Sequence, residues 1–569
     1  MKKKVLIALL LVMALFVTTV PAFAASLEEV NVEEPVKNII MLIPDGMPID
    51  AVTFTRWYRN NEPLVMDSIV TGLVRTYSAD AVIADSAPAG TAMATGYKSR
   101  TGHVGVLAPE NTIPGLEPLA EGDALKPVAN LCELARLAGK STGVIATSEL
   151  MHATPADFSA HDASRKNYDG LSEQQVFSQV DVFLGGGTIF YQPEGREDGK
   201  DIYAIMNERY NVVHSPSELE TVTEGPLFGL FAETAMDYDF DRNPEEQPSL
   251  AEMTTKAIEI LSQNENGFFL MVEGSKIDWA SHPNEVVGQI SDILAFDAAV
   301  EVALNFAKED GNTIVIAATD HGNSGMSIGN HNTSSGYDKL PLDAFINDTI
   351  LNAKNTAEGI EKLLNEDRSN VKEVMAEYYG IENLSDMEIK AIEKCEEGGL
   401  QGLIGPMMAE RVNVGYTTTG HTGGDVTLYC YAPENVDVLS GLVENSDIGK
   451  YCAKAFGLSL DEANEKLFVR AAEAFEAAGA TIEMNEEGED GLTFTITKDD
   501  QELVLVANRS VAKFNGEDVQ LQGLVIYSGE QLYVSQDAVD MIAGEAEVAE
   551  EEVVEEEASE EVAEETTAA

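Results

Sequence analysis

Asp278 and His282 stand four residues apart, a spacing that sets both side chains on one face of a helical turn, within reach of one ion. Asp320 and His321 are adjacent where an apolar run stops, so a sharp loop can turn both toward a second ion. His421 lies in Thr419-Gly420-His421-Thr422-Gly423-Gly424, a glycine-lined turn ahead of another apolar run, and Asp45 and Glu273 close two more runs. Any one of these pairs recurs by chance on a solvated helix face; the whole set, gathered at the ends of apolar runs, points to bound metal. Imidazole with carboxylate suits zinc, and carboxylate with hydroxyl and water suits magnesium.

A nucleophile is available as well. In Asp85-Ser86-Ala87-Pro88-Ala89-Gly90-Thr91, Ser86 falls where a helix would start, and Pro88 is tolerated in a first turn whose N–H groups have no partners. Backbone N–H groups and the positive end of a helix dipole beside that hydroxyl suit an incoming phosphate. Read alone, the same serine is an ordinary helix cap; the acid and histidine set elsewhere shifts the balance toward chemistry.

These residues need a scaffold that brings run ends together. Segment 36–43 (VKNIIMLI) is an unbroken apolar run with the look of a strand buried on both faces, and it stops at Pro44-Asp45-Gly46. Runs 141–146, 180–184, 268–272 and 313–318 repeat the pattern, separated by amphipathic segments such as 127–138 and 250–263. Strand then helix, repeated, predicts an α/β three-layer sandwich, with a mainly parallel central sheet flanked by helices. Ligands gather beyond the carboxyl ends of such strands. Segment 330–416 carries its own helical signals at 356–364 and 370–379 and a Ser385/Glu388 capping box, and reads as an insertion over the site mouth or at a subunit contact. Segment 425–431 returns as a final strand.

The remaining organisation is set by composition. Residues 1–24 read as a signal peptide: Lys2, Lys3 and Lys4, then an apolar stretch, then Ala22-Phe23-Ala24. No later stretch is apolar enough to span a bilayer, so the expectation is a secreted, extracellular or cell-surface protein with no transmembrane segment in the mature chain. Residues 25–458 read as one main domain carrying the candidate site residues, 459–543 as one helical segment, 460–478, followed by a small β-rich, stalk-like appendage, and 544–569 as an acidic, low-complexity tail. The net charge of −62 argues against nucleic-acid binding and requires that any phosphate site be made locally positive by metals or arginine. Four scattered cysteines make no disulfide framework, and bridges or buried thiols both stay open. His103, His161, His214 and His331 lack an acidic or histidine partner at useful spacing and read as surface or core.

Asp45-Gly46-Met47, Asp85-Ser86-Ala87-x-Ala89-Gly90-Thr91, His152-Ala153-Thr154-Pro155, Ser164-Arg165-Lys166, Glu273-Gly274-x-x-Ile277-Asp278, Asp320-His321 and His421-Thr422-Gly423 follow one another in the order seen in alkaline phosphatases, which the chain resembles from about residue 36 to 433. The resemblance implies hydrolysis of small phosphate monoesters through a phosphoserine on Ser86, with two zinc ions and a third ion, usually magnesium. It assigns Asp278, His282 and His421 to the first zinc. Asp320, His321 and Asp45 go to the second, and Asp45, Thr154 and Glu273 to the third ion. Arg165 would grip two phosphate oxygens with its planar fork.

Two positions vary within the family. His152 stands where some bacterial members have aspartate, and an imidazole there could favour zinc or cobalt at the third site. Trp279 stands where those members have a lysine that reaches the phosphate through water, and the loss of that lysine should loosen the hold on product; some other members carry tryptophan here. A phosphodiesterase or sulfatase of the same superfamily is disfavoured by serine in Asp-Ser-Ala and by the lack of a Cys-x-Pro-x-Arg signature. A non-enzymatic metal- or phosphate-binding protein is disfavoured by the unbroken ligand set. The reading leaves room for a homodimer and for a cell-surface tether through the C-terminal module.

Overall fold

The computed structural model describes residue 27 and residues 30–396, 398–488 and 491–544. The signal peptide expected at 1–24 and the acidic tail from 545 onward lie outside the described residues. Ten strands build the central sheet: β1 Asn38–Ile43, β2 Val70–Arg75, β3 Ser141–Glu149, β4 Val182–Gly186, β5 Asn211–Val213, β6 Leu227–Leu230, β7 Phe268–Glu273, β8 Thr313–Ala318, β9 Val426–Tyr431 and β10 Gly441–Glu444. Five helices frame the strand ends: α1 Ser86–Thr95, α2 Ala153–Asp157, α3 Lys276–Ser281, α4 Val286–Asp310 and α5 Ala357–Leu363.

The sheet order is β10-β2-β9-β8-β1-β7-β3-β4-β6-β5. Every pairing is parallel except those of β9, which runs antiparallel between β2 and β8. The expected mainly parallel sheet is therefore observed. Its short outer strands β5 and β6, and β2 and β10 on the other side, were not among the apolar runs.

Burial on both faces follows from the period of two along each strand. Ile40 and Leu42 of β1 join Leu270, Val272, Val315 and Ala317 against α4, through Ile290, Ile293 and Val300. Ile39, Met41 and Ile43 point the other way, with Phe269, Met271 and Ile316, onto Met93 of α1 and onto Leu131 and Leu134. The insertion folds largely as the spacing predicts, with helices α5, Val371–Glu377, Asp386–Lys394 and Leu400–Arg411, and the Ser385/Glu388 capping box is present. Its Ile360, Met375, Ile392 and Met408 merge into the α4-side core.

The C-terminal module has a separate core around Phe475, Phe494, Ile496, Leu503 and Val534. Its five-stranded antiparallel sheet runs from Thr481–Gly488 to Glu517–Gln520. The single helix expected at 460–478 is broken into Leu460–Leu467 and Ala471–Ala477, because Val469 and Arg470 pair with Val534 and Tyr533 as a short strand. The module is bonded to the sheet-bearing region: Arg509 Nε lies 2.8 Å from Glu173 Oε1, Ser510 Oγ donates to Phe177 O at 2.6 Å, and Ser528 Oγ to Leu125 O at 2.8 Å. Cys132, Cys395, Cys430 and Cys452 are all free thiols.

Candidate active site

Strands β8, β1, β7 and β3 are consecutive neighbours, and their register sets Ile43 opposite Glu273 and Leu42 opposite Ala317. The residues that leave these strands therefore emerge at one edge: Asp45 after β1, Glu273 at the end of β7, Asp320 and His321 after β8, and His152 and Thr154 after β3. Asp45, Glu273, Asp320 and His321 are fully buried. His321 Nε2 lies 3.1 Å from Asp320 Oδ2, 3.6 Å from Asp45 Oδ1 and 3.1 Å from Ser86 Oγ.

The second half of the cluster comes from α3 and from a two-stranded ribbon. Asp278 Oδ2 is 3.2 Å from His282 Nε2, and Asp278 Oδ1 is 3.7 Å from His421 Nε2. His421 is carried in by pairing of His421–Thr422 with Gly322–Asn323, and its Nδ1 lies 2.9 Å from Ala84 O, just before the Ser86 helix. Its ring stacks on His321 at 3.6 Å. Gly46 makes the convergence of Asp45 and Asp278 sterically feasible: its φ is +60°, and a Cβ there would overlap the Asp278 side chain.

The donor atoms fall into three groups, each within 4.8 Å: Asp278, His321 and His421; Asp45, Asp320 and His321; Asp45, His152 and Glu273. His282 stands beside the first group, its ring 5.1 Å from His421 and its side chain 42% exposed, with Nδ1 2.8 Å from Thr419 O. Thr154 Oγ1 is buried at the start of α2 without a hydrogen bond among the described residues.

The electrostatics fit a divalent-cation site. Neither oxygen of Asp45 or Glu273 has a hydrogen-bond partner among the described residues, an arrangement that is unfavourable for a buried carboxylate unless positive charge meets it. Burial, with Asp320 and Asp278 as like charges, drives Asp45 well above the usual carboxylate range, and burial pushes Glu273 up to about 8. Burial also opposes charge on Asp278, but its hydrogen bond to His282 and the charges of His321, His282 and His421 outweigh it and hold that acid below the normal range. Desolvation would lower His321, yet Asp320 holds it up at about 9. Carboxylates beside imidazoles match zinc, and the Asp45, Glu273 and Thr154 oxygens match a harder cation such as magnesium.

Ser86 is only 2% exposed and opens α1, with Asp85 in the cap position. Gly90, one turn on, lets α1 lie directly against Asp157 of α2. Arg165 Nη1 donates to Asp85 Oδ1 at 2.5 Å, and Nη2 to His152 Nε2 at 2.8 Å. An arginine can only donate, so His152 Nε2 is the acceptor, and burial together with the Arg165 charge keeps that imidazole neutral, with its pKa down at about 3. Trp279 packs edge-on against His152, ring centroids 5.8 Å apart.

Two supporting residues were not singled out from the sequence. Asp85 holds Arg165, and Asn323 Nδ2 donates to Asp278 Oδ1 at 2.6 Å. Asn323 follows Asp320-His321 by two residues, which was the one local signal for it. His161, read from spacing as unpartnered, instead has Glu133 Oε1 3.0 Å from its Nε2 and Gly105 O 2.8 Å from its Nδ1, and His331 has Glu410 at 3.6 Å. Spacing along the chain could not reveal partners that folding supplies.

Comparison with known proteins bears on the whole arrangement. Residues 36–458 match the alkaline phosphatase family model, and residues 458–553 match that of the copper amine oxidase N-terminal domain. The chain is 36% identical to alkaline phosphatase 4 of Bacillus subtilis over 431 residues, covering 72% of this chain and 87% of that one. Thermus thermophilus alkaline phosphatase superposes with a TM-score of 0.65 at 27% identity, over 78% of this chain and 97% of that one. A histidine-to-glutamate mutant of alkaline phosphatase from TAB5, with Mg bound in its M3 site, has a TM-score of 0.53 at 26% identity, over 75% and 99% of the two chains. With the sheet, its strand-end cluster and the Ser86 helix all inside the matched region, this chain belongs to the alkaline phosphatase family, a metal-dependent family, and is a phosphomonoesterase.

Proposed function

We propose that this enzyme is secreted and hydrolyses phosphate monoesters through a phosphoserine on Ser86. In this reading Asp278, His282 and His421 would hold one zinc, and Asp45, Asp320 and His321 a second. Asp45, Thr154 and Glu273 would hold a third ion, magnesium, with His152 beside it; zinc or cobalt is the alternative if the His152 nitrogen that accepts from Arg165 turns to the ion instead. The ions, when bound, make the serine alkoxide accessible near neutral pH and stabilise charge on the entering and leaving oxygens.

The chain's own groups do the rest. Ser86 Oγ forms a bond to phosphorus as the ester P–O bond breaks, and the alcohol leaves with a proton. Water then adds to phosphorus, the Ser86–phosphorus bond breaks, and inorganic phosphate departs with the serine hydroxyl restored. Arg165, aimed by Asp85 and His152, grips two non-bridging oxygens, which favours monoesters over diesters because few oxygens remain for a second ester group. The N–H groups at the start of α1 add local positive potential in a chain of net charge −62. Trp279 borders the phosphate site.

The observation that carries this reading is the convergence of Asp45, Asp320 and His321 on Ser86 Oγ, with His321 Nε2 at 3.1 Å. The 1–24 segment supports export, and among the described residues no helix is long and apolar enough to cross a membrane. Leu73 and Leu442, exposed and directly opposed on β2 and β10, are consistent with a homodimer contact, and the C-terminal module with a role at the cell surface. Ser86→Ala tests the core of the proposal: turnover of a chromogenic phosphate monoester should fall to background, and undiminished turnover would remove Ser86 as nucleophile. A preference for a diaryl over a monoaryl phosphate would replace the substrate class.

A further inference from the structure

Lys276 opens α3 two residues before Asp278, yet its side chain is only 2% exposed. Its ammonium lies 3.3 Å from Glu358 Oε2, 4.3 Å from the centre of the Tyr238 ring and 4.6 Å from that of Trp279. Burying an ammonium is unfavourable unless it is paired, and a methionine of similar length would fill the same space without that penalty. A cation held between two aromatic faces and one carboxylate is suited to fixing those rings in place.

Its anchor is itself anchored. Glu358 sits in the first turn of α5, the insertion helix whose start is pinned by Glu285 Oε1, which accepts from Ala357 N at 2.6 Å, and by Asp241 Oδ1, which accepts from Thr356 N at 2.9 Å. On the other side, Trp279 rests edge-on against His152, and His152 accepts from Arg165. A continuous line of contacts therefore runs from the insertion to the guanidinium: Glu358, Lys276, Trp279, His152, Arg165.

We propose that Lys276 is a positioning residue: clamped by Glu358 of the insertion, it fixes the Trp279 indole and, through His152, the Arg165 fork, and so sets how tightly phosphate is held. This role rests on the proposed function, in which Arg165 and Trp279 face the substrate phosphate. It also assigns the insertion a part in binding, as the wall against which the clamp is braced. Position 279 itself carries an indole, and a lysine one helical turn earlier works through that ring.

The chain has two tryptophans, so a Trp57→Phe background leaves Trp279 as the sole indole and its emission as a direct reporter. In that background, Lys276→Met should shift Trp279 emission and raise its acrylamide quenching. KM for a phosphate monoester and Ki for inorganic phosphate should rise together by about tenfold, while kcat changes by less than about threefold. Lys276→Arg, which keeps a cation over the rings, should restore most of the loss. In a Trp279→Ala background, Lys276→Met should add nothing to KM. Unchanged emission, KM and Ki in Lys276→Met would overturn the proposal, as would a full, additive effect without the indole. Should Lys276→Met not fold, Glu358→Gln carries the test: it keeps shape and removes the charge anchor, and it must move emission, KM and Ki in the same direction. If inorganic phosphate alters Trp279 emission in the parent but Lys276→Met matches the parent, the clamp is wrong and the site reading stands. If Lys276→Met moves the emission while phosphate never does and KM is unchanged, the placement of Trp279 at the phosphate is wrong, and the proposal falls with it.

Discussion

Gly46→Ala isolates the role of backbone geometry in bringing Asp45 and Asp278 together. Gly46 has φ +60°, and an added Cβ would lie 2.8 Å from Asp278 Cβ. Restoring an ordinary carbon–carbon separation of about 3.5–4.0 Å requires the Asp278 side chain, or the loop bearing Asp45, to move by about 1 Å. A second term is the left-handed backbone itself, which costs a non-glycine residue roughly 1–3 kcal/mol. Gly199 supplies the control: its φ is +66°, and nothing lies within 4 Å of its would-be Cβ. Gly199→Ala should lose comparable stability in urea unfolding and keep its activity. Gly46→Ala should lose that stability and, in addition, about 100-fold in kcat/KM, the consequence of roughly a 1 Å misplacement at a reacting centre. Metal content by atomic emission should fall with it, since ligand positions tolerate only about ±0.2 Å. Equal kcat/KM in the two variants, or a Gly46→Ala protein with normal metal content and rate, would refute the argument that this glycine permits the cluster.

Two further outcomes are expected from the same geometry. Chelation should abolish activity and zinc with magnesium should restore it, with activity also declining in acid as ligand histidines protonate; a metal-stripped protein turning over at full rate would contradict this. The buried His161–Glu133 pair should leave a signature in stability. Burial opposes charge on both, but each partner outweighs it for the other, so His161 is raised from 6.5 and Glu133 lowered from 4.5. The His161 contribution is complete below about 6.5 and is lost as pH rises through its higher folded value. The Glu133 contribution is complete above about 4.5 and is lost as pH falls through its lower one. Wild type should therefore exceed Glu133→Gln in urea-unfolding stability by most between pH 4.5 and 6.5, with the gap closing at alkaline pH; a gap independent of pH would show that the pair is not charged.

Much of the scaffold was legible because the signals are local. A short apolar run such as 36–43, stopped by Pro44-Asp45-Gly46, has the look of a strand buried on both faces, and the polar residue just past such a run, Asp45 or Asp320, is then placed at the strand's carboxyl end, as the structure shows. The motif around Ser86 likewise announced a helix start, and α1 begins on that residue. Less was visible where apolar patterning is diluted: β2 is largely exposed and reads as no run, and β5 has three residues. The direction of β9 carries no mark in its own sequence, since a buried strand reads alike either way.

By itself, then, the order of residues determined which side chains end strands, which faces are buried and which hydroxyl opens a helix, all properties of a few consecutive positions. Only the tertiary structure decided that β1 lies between β7 and β8, that Asp85 reaches Arg165 across 80 positions, and that Lys276 meets Glu358 across 82. Those contacts depend on sheet order and on where an insertion packs, and such long-range choices are settled by the burial of whole faces rather than by any single segment.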